Sequence, residues 1–462
     1  MSPSPRQTRV SPSRHVRAVS PARSAAFEVV RRVFEHGAYA DRILHTRARE
    51  LDARDRALAT TLAYGTVQRR ATLDHIAAGL VKRPLSRLDP AALAGLRLGL
   101  FQLLYLGGVA DHAAVNETVA LVKPASPGGA GLVNAVLRRA AREGTALLGA
   151  LHDGTPESAA IKHSVPQWLA ERWWQELGAD DARGLLSAVN RPAESALRAN
   201  TLVGTAVQAA AAIPARTRPA LGLPEGLILE QPFDAHGSEL WRLGAIMPQS
   251  RGSMLVGRAL APSRADRVLD LCAAPGAKTT HLAALGAASV IAVERHPGRA
   301  KALAATCARM HADNVRVDVL DAVDVGSAKA PAAVRAGARF DAVLVDPPCS
   351  GLGTLQSRPD LRWRAVPERI SELAGLQLRL LSAGAQVTRR GGVLVYSVCT
   401  ISRCEGTGVV ERFLDAHADF EADELAPRHP DYASAATGPY LQLLPHREGT
   451  DGFFIARLIR RR

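Results

Sequence analysis

Cysteine is scarce, with five residues in a chain of 462: Cys272, Cys307, Cys349, Cys399 and Cys404. The number is odd and the spacing wide, which excludes a disulfide framework and points to a reducing compartment. No Cys-x-x-Cys pair exists, so no structural zinc site is expected, and no metal of any kind. Long apolar runs are also missing. Nothing approaches the ~18 consecutive apolar residues of a membrane span. There is no apolar leader at the N-terminus, so a secretory signal is not expected and the cytoplasm is the expected location. No internal repeat is present.

What remains is a folded, basic chain. Hydrophobic residues make up 47% and charged residues 22%, which excludes disorder throughout and supplies a sizeable core. The length suggests two to four domains. The net charge is +14, and only six of the basic residues are lysine. Arginine excess reflects genome composition in part, but the surplus still favours a polyanionic partner, RNA first. A monomer is expected.

Four segments follow from the pattern. Residues 1–20 carry four arginines and no acid and read as a disordered basic tail. Residues 21–143 show apolar spacing of helical period at 24–34, 56–67, 73–80, 91–106, 116–122 and 132–142, with Ser20-Pro21 and Asp89-Pro90 as helix starts. That is an all-α domain. Residues 144–244 read as a linker (144–165) followed by a small α+β subdomain. It has a Trp-bearing helix from Pro166 to Leu177 and short strands at 197–202 and 227–229. From 245 to 462, β-branched runs at 268–271, 290–293, 315–317, 342–345 and 393–396 alternate with helical stretches. Alternation of this kind predicts a parallel, doubly wound α/β sheet.

Ligands of such sheets bind at the carboxyl ends of strands. The first strand here runs into Cys272-Ala273-Ala274-Pro275-Gly276-Ala277-Lys278, a loop of small residues that lets a ligand approach the backbone. It is neither G-x-G-x-x-G nor a Walker loop, which argues against dinucleotides and ATP. Glu294 ends the second strand, placed for ribose hydroxyls, and Asp321 follows the third, placed for an adenine. Ribose and adenine without a pyrophosphate cradle predict S-adenosylmethionine.

The fourth strand ends in Asp346-Pro-Pro-Cys349 and the fifth in Tyr396-Ser-Val-Cys399. Amino-methylating enzymes carry an aromatic where Cys349 stands, which argues against that class. Two cysteines at adjacent strand mouths suit another chemistry. C5 of a pyrimidine is a poor nucleophile. A thiolate adding to C6 makes C5 enamine-like, and the C5 proton must later leave so that the thiol is expelled. One cysteine serves as covalent nucleophile and a second assists release. Asp346 is placed to hydrogen-bond the base at N3. Cys272, Cys307 and Cys404 are read as small buried hydrophobes.

Residues 270–280, the Asp346–Cys349 motif, Tyr396–Cys399 and the terminal Asp451-Gly-Phe-Phe-Ile-Ala-Arg-Leu458 resemble the RsmB/Sun (Fmu) branch of the NOL1/NOP2/Sun family of RNA cytosine-5 methyltransferases. Leu100–Tyr105, Ala114–Val119 and Gly131–Arg138 resemble the NusB-like RNA-binding domain of that branch. The resemblance covers roughly residues 20–460. It implies a Rossmann-like class I methyltransferase domain acting on RNA, most naturally 16S ribosomal RNA. It makes Cys399 the nucleophile and Cys349 the residue that assists release. Residues 272–278, Glu294, Asp321 and Asp346 would hold the cofactor, and Arg358-Pro359-Asp360 would lie near the site. Three departures stand out: Ala277 for a second glycine, Glu294 for an aspartate, and Arg403-Cys404-Glu405-Gly406 where the family reads Pro-Glu-Glu-Asn. The last of these would suit a catalytically impaired assembly factor that kept the fold. A tRNA cytosine-5 methyltransferase is the other alternative.

Overall fold

Ser20 accepts a hydrogen bond from the Arg23 amide, and Asp89 accepts from Ala91 and Ala92. These caps satisfy amides that helix starts leave unpaired. They open two of the seven α-helices described in the first part of the chain: Pro21–His36, Ala40–Arg47, Ala53–Gln68, Arg70–Leu80, Pro90–Tyr105, Asp111–Val122 and Pro127–Gly149. The computed structural model describes residues 19–335 and 337–461, so the expected basic tail lies almost wholly outside the described residues. Two compact units divide between His152 and Asp153. In the first, an added Cβ on Gly95 would lie 2.2 Å from Val122, and one on Gly99 would lie 2.4 Å from Leu137. Glycine there lets the neighbouring helices close on Pro90–Tyr105.

The helix read as ending near residue 142 continues to Gly149. Gly144 looks like a stop signal in sequence. In the fold it is buried, and a Cβ there would meet Leu104 at 2.6 Å. It is a packing residue inside the helix. The expected linker is also largely helical, since Thr155 and Ser158 form a capping box that starts the helix Pro156–His163.

The second unit continues with helices Gln167–Leu177 and Ala179–Ala188. Trp173 sits in a core shared with Leu352, Leu355 and Ile401. These helices therefore pack on the C-terminal domain. A four-stranded antiparallel sheet follows, with β1 (Ala196–Ala199), β2 (Thr217–Ala220), β3 (Leu223–Leu229) and β4 (Ile246–Pro248) in the order β2-β3-β1-β4.

The large sheet contains β5 (Arg267–Leu271), β6 (Ser289–Glu294), β7 (Val315–Val319), β8 (Phe340–Val345), β9 (Thr388–Val398), β10 (Phe420–Asp423), β11 (Ala436–Thr437), β12 (Tyr440–Leu443) and β13 (Phe453–Arg460). Five of these strands pair in parallel in the order β7-β6-β5-β8-β9, as expected. The rest of the sheet corrects the all-parallel reading. β13 pairs antiparallel with β9, and β10 and β12 pair antiparallel with β13. β13 is buried along most of its length, so it carries no alternation from which a strand could be read. Helix Pro367–Val387 covers one face of the sheet, and helices Arg251–Leu260 and Ala277–Ala284 cover the other.

Candidate active site

The carboxyl ends of β5, β6, β8 and β9 converge. After β5 the chain turns sharply. Cys272 takes φ of 64°, Ala274–Pro275 is a cis peptide, and Gly276 takes φ of 107° before helix Ala277–Ala284 begins. A left-handed φ at Gly276 carries little strain, because glycine has no Cβ. A Cβ there would lie 2.8 Å from Leu303. Arg299 donates to the Ala274 carbonyl at 2.9 Å and lies 3.4 Å from Glu294. Glu294 is buried and also accepts from the His296 amide at 2.9 Å. Asp321 accepts from the Val323 amide at 3.2 Å. Asp270 is buried beneath the loop. One of its oxygens accepts from Thr279 at 2.6 Å, while the other has no partner among the described residues. Burial pushes this acid up to about 7. The loop, the two acids at neighbouring strand ends and an unsatisfied buried oxygen fit a polar, nucleoside-bearing cofactor.

Beside this loop the Cys349 and Cys399 sulfurs lie 3.3 Å apart. Cys399 directly follows β9 and Cys349 lies four residues beyond its parallel neighbour β8, and both are half-buried. The hydrogen bond from Cys349 and the charge of Lys278 hold the Cys399 thiol below its ordinary value, against burial and Asp346. The same hydrogen bond, then burial, raises Cys349 well above its ordinary value. One sulfur is thus disposed to be thiolate and its neighbour to stay protonated. Asp346 accepts from Lys278 at 2.9 Å on one oxygen and from Ser397 at 2.8 Å on the other. Burial disfavours the Lys278 ammonium, but Asp346 outweighs it and raises that pKa. Lys278, expected to serve the cofactor loop, therefore faces the cysteine side. Burial pushes Cys272 up to about 12 and Cys307 up to about 11, so both remain thiols.

Sequence reading missed several residues. Glu405 is fully buried and accepts from the Ser350 amide at 2.8 Å, the Ser350 hydroxyl, Gln377 at 3.1 Å and Thr400 at 3.2 Å. It anchors the residue after Cys349, so the Arg403–Gly406 departure keeps a carboxyl at this post. Gly353 donates to the Cys399 carbonyl at 3.1 Å, and Gly452 donates to the Gly353 carbonyl at 2.8 Å. A Cβ on Gly353 would lie 2.0 Å from the Gly452 oxygen, so the Asp451-Gly pair locks the cysteine loop by contact of bare backbones. Buried Arg198 donates to Thr280 at 2.9 Å and Gln249 at 2.8 Å, bracing helix Ala277–Ala284 from β1. Arg362, two residues beyond Asp360, is buried and donates to Ser164, Asn190, Val189 and Leu355. It pins the cysteine-loop segment to the preceding helices. The Asp451-Gly motif and the Glu at 405 were the only signals present in sequence.

Known proteins resemble this chain over most of its length. Residues 257–459 match the family model described as 16S rRNA methyltransferase RsmB/F. Residues 20–142 match the NusB family, and residues 165–236 match the ferredoxin-like domain of RsmF/B-like methyltransferases. A putative methyltransferase of Mycobacterium tuberculosis is 39% identical over 468 residues, spanning 96% of this chain and 97% of that one. The probable ribosomal RNA small subunit methyltransferase B of Bacillus subtilis is 32% identical over 452 residues, spanning 94% and 98%. The crystal structure of PH0851 superposes with a TM-score of 0.78 at 24% identity, covering 96% of this chain and 99% of that one, and shares its fold.

Proposed function

The chain belongs to the RsmB/F family of methyltransferases, and from that premise we propose that it methylates C5 of a cytosine in small-subunit ribosomal RNA. The observation that carries this reading is the pair of sulfurs 3.3 Å apart, one lowered and one raised in pKa, beside Lys278 and Asp346. S-adenosylmethionine supplies the methyl group. The 272–278 loop, Glu294 and Asp321 would hold it.

The Cys399 thiolate adds to C6 of the base, forming a C–S bond and placing electron density on C5. Asp346, oriented by Lys278 and Ser397, accepts a hydrogen bond at the pyrimidine edge. Once C5 carries the methyl group, its proton leaves to a base, the C5–C6 double bond re-forms and the Cys399 thiolate departs. Cys349 stands beside the sulfur that must leave and assists that release. The NusB-like unit contributes RNA affinity. Glu405 makes the bonds that hold the Cys349 loop, which supports an active enzyme over an inactive assembly factor.

The test is methyl transfer from labelled cofactor to small-subunit ribosomal RNA, with the product mapped by bisulfite sequencing. Cys399→Ala should lower transfer by at least about 10³-fold, as expected when a nucleophile is lost, while cofactor binding persists. Turnover within tenfold of the unaltered protein, or label on an exocyclic nitrogen, would refute the assignment.

A further inference from the structure

A cavity of about 390 Å³ opens where the small antiparallel sheet meets the catalytic loops. Its floor is β1 and β4, and one wall is the Phe233–His236 turn. Asp451 and Ser357 also line it. Asp451 connects the cavity to the cysteines. Its neighbour Gly452 bonds Gly353, which bonds the Cys399 carbonyl, and its charge reaches both Cys399 and Lys278.

The lining chemistry is selective. Among the described residues no lysine or arginine lines the cavity, so a phosphate has no partner there. Arg251, just behind it, is committed to both oxygens of Glu194 and to the Glu448 carbonyl. Gln249 is committed to Arg198 and Ser253. Asp451 is hydrogen-bonded to Ser250 and lies within reach of the charges of Arg358 and Lys278, and Asp234 adds a second carboxylate to the lining. Phe233 is half-buried, and His236 is held against Trp241 with ring centroids 4.5 Å apart. Aromatic faces with carboxylate acceptors and no cation in the lining itself suit a flat ligand rich in N–H donors. The volume lies in the range of small-ligand pockets.

We propose that this cavity takes the nucleobase next to the target cytosine, splayed out of the RNA strand, and that guanine fits it best. The proposal rests on the RNA-methyltransferase reading of the site. Single-stranded RNA is recognised by unstacked bases laid on aromatic side chains and read along their edges. Guanine presents N1–H and the N2 amino group side by side to a carboxylate. Adenine and cytosine present one amino group beside a ring acceptor, which a carboxylate repels. Uracil presents one N–H between two carbonyl oxygens.

The probes are uridine-rich RNA strands bearing one cytosine flanked on both sides by guanosine, inosine or adenosine. Binding is measured to the full chain without cofactor, and methylation separately with it. Guanosine flanks should bind about tenfold or more tighter than adenosine flanks, with inosine between them. Phe233→Ala should weaken the guanosine strand about tenfold and shrink the guanosine preference. Phe233→Leu keeps the apolar packing and should weaken binding similarly, which separates stacking from misfolding. Strands that are methylated with no dependence on the flanking base would overturn this proposal and leave the cytosine-5 reading intact. So would an unchanged preference in both Phe233 variants. Strands bound with the guanosine preference but never methylated would uphold the cavity and overturn the chemistry.

Discussion

Removing the Glu405 carboxyl tests whether one buried acid holds the catalytic loop. The side chain is inaccessible to solvent and receives four hydrogen bonds. In Glu405→Ala the donors do not suffer equally. The Ser350 and Thr400 hydroxyls lie 2.9 Å apart and can bond each other, and Gln377 already donates to the Pro348 carbonyl at 2.9 Å. The Ser350 amide loses its acceptor. An orphaned buried donor costs about 1–3 kcal/mol, and the vacated volume adds a cavity cost. The expected loss is about 3–4 kcal/mol. Glu405→Gln keeps an oxygen for the Ser350 amide and turns an NH2 towards two hydroxyls that can rotate to accept. Its expected loss is about 1 kcal/mol. Urea unfolding at unchanged m-value reads both numbers. Ser350 follows Cys349 directly, so at permissive temperature Glu405→Ala should also slow product release more than the first turnover. The reasoning fails if Ala is as stable as Glu within about 1 kcal/mol, or if Gln destabilises as much as Ala.

If Cys349 assists elimination, Cys349→Ala should accumulate a denaturant-resistant enzyme–RNA species, visible as a shifted band and absent when Cys399 is also replaced; normal turnover without that band would remove the role. A pH effect on stability is expected from His281, which is buried and bonded to Glu225 at 2.7 Å. Burial lowers its pKa from 6.5 to about 4, the Glu225 bond offsetting this only in part. Between those values the unfolded chain binds the proton and the folded chain does not, so the contribution of His281 to stability falls as pH drops through that window, by at most about 3 kcal/mol. Burial alone would raise Glu225, but hydrogen bonds from His281 and Arg258 outweigh it and hold the acid low, which extends the loss further into acid. Asp270, raised to about 7, and Asp451, raised to about 6, act with the opposite sign over the same range. The His281 contribution is therefore read as the difference in unfolding midpoint between the unaltered chain and His281→Gln from pH 7 to 4, a difference that should shrink as pH drops. Deletion of residues 1–152, the whole first unit, should lower RNA affinity and leave cofactor affinity unchanged. It should also flatten the salt dependence, the slope falling in magnitude by about 0.7 for each phosphate no longer neutralised on a single strand. The cut lies at 152 because the last helix runs to Gly149. A folded truncation with the full chain's RNA affinity and salt slope would show that the unit does other work.

Arginines along the helices of that unit show where sequence stops being informative. Arg23, Arg31, Arg32, Arg54, Arg56, Arg69 and Arg70 look alike as basic residues on helices. In the fold, Arg23 is buried against Gln102 and Glu117, Arg31 and Arg32 pair with Glu35 and Glu28, and Arg56 bonds the Ala48 and Leu51 carbonyls. Arg69 lies 4.8 Å over the Tyr105 ring, and Arg70 lies over Phe34 and beside Asp74. Most of them serve the unit itself, and linear charge density cannot reveal such pairing.

The sequence alone determined whatever is local. A β-branched run, a small-residue loop and a helix start act over ten or so residues, so the parallel strands, the 272–278 loop and the caps at Ser20 and Asp89 were legible. So was the presence of a cysteine shortly after each of two such runs, because strands buried on both faces read as continuous apolar segments whose ends are visible. Tertiary structure decided everything that depends on which distant segments meet. It turned β13 antiparallel to β9, made Gly144 a packing residue and swung Lys278 to Asp346. It also brought Glu405 to Ser350 and laid Gly452 on Gly353. Each joins segments tens of residues or more apart. The energy comes from desolvation and close packing, which no local pattern encodes.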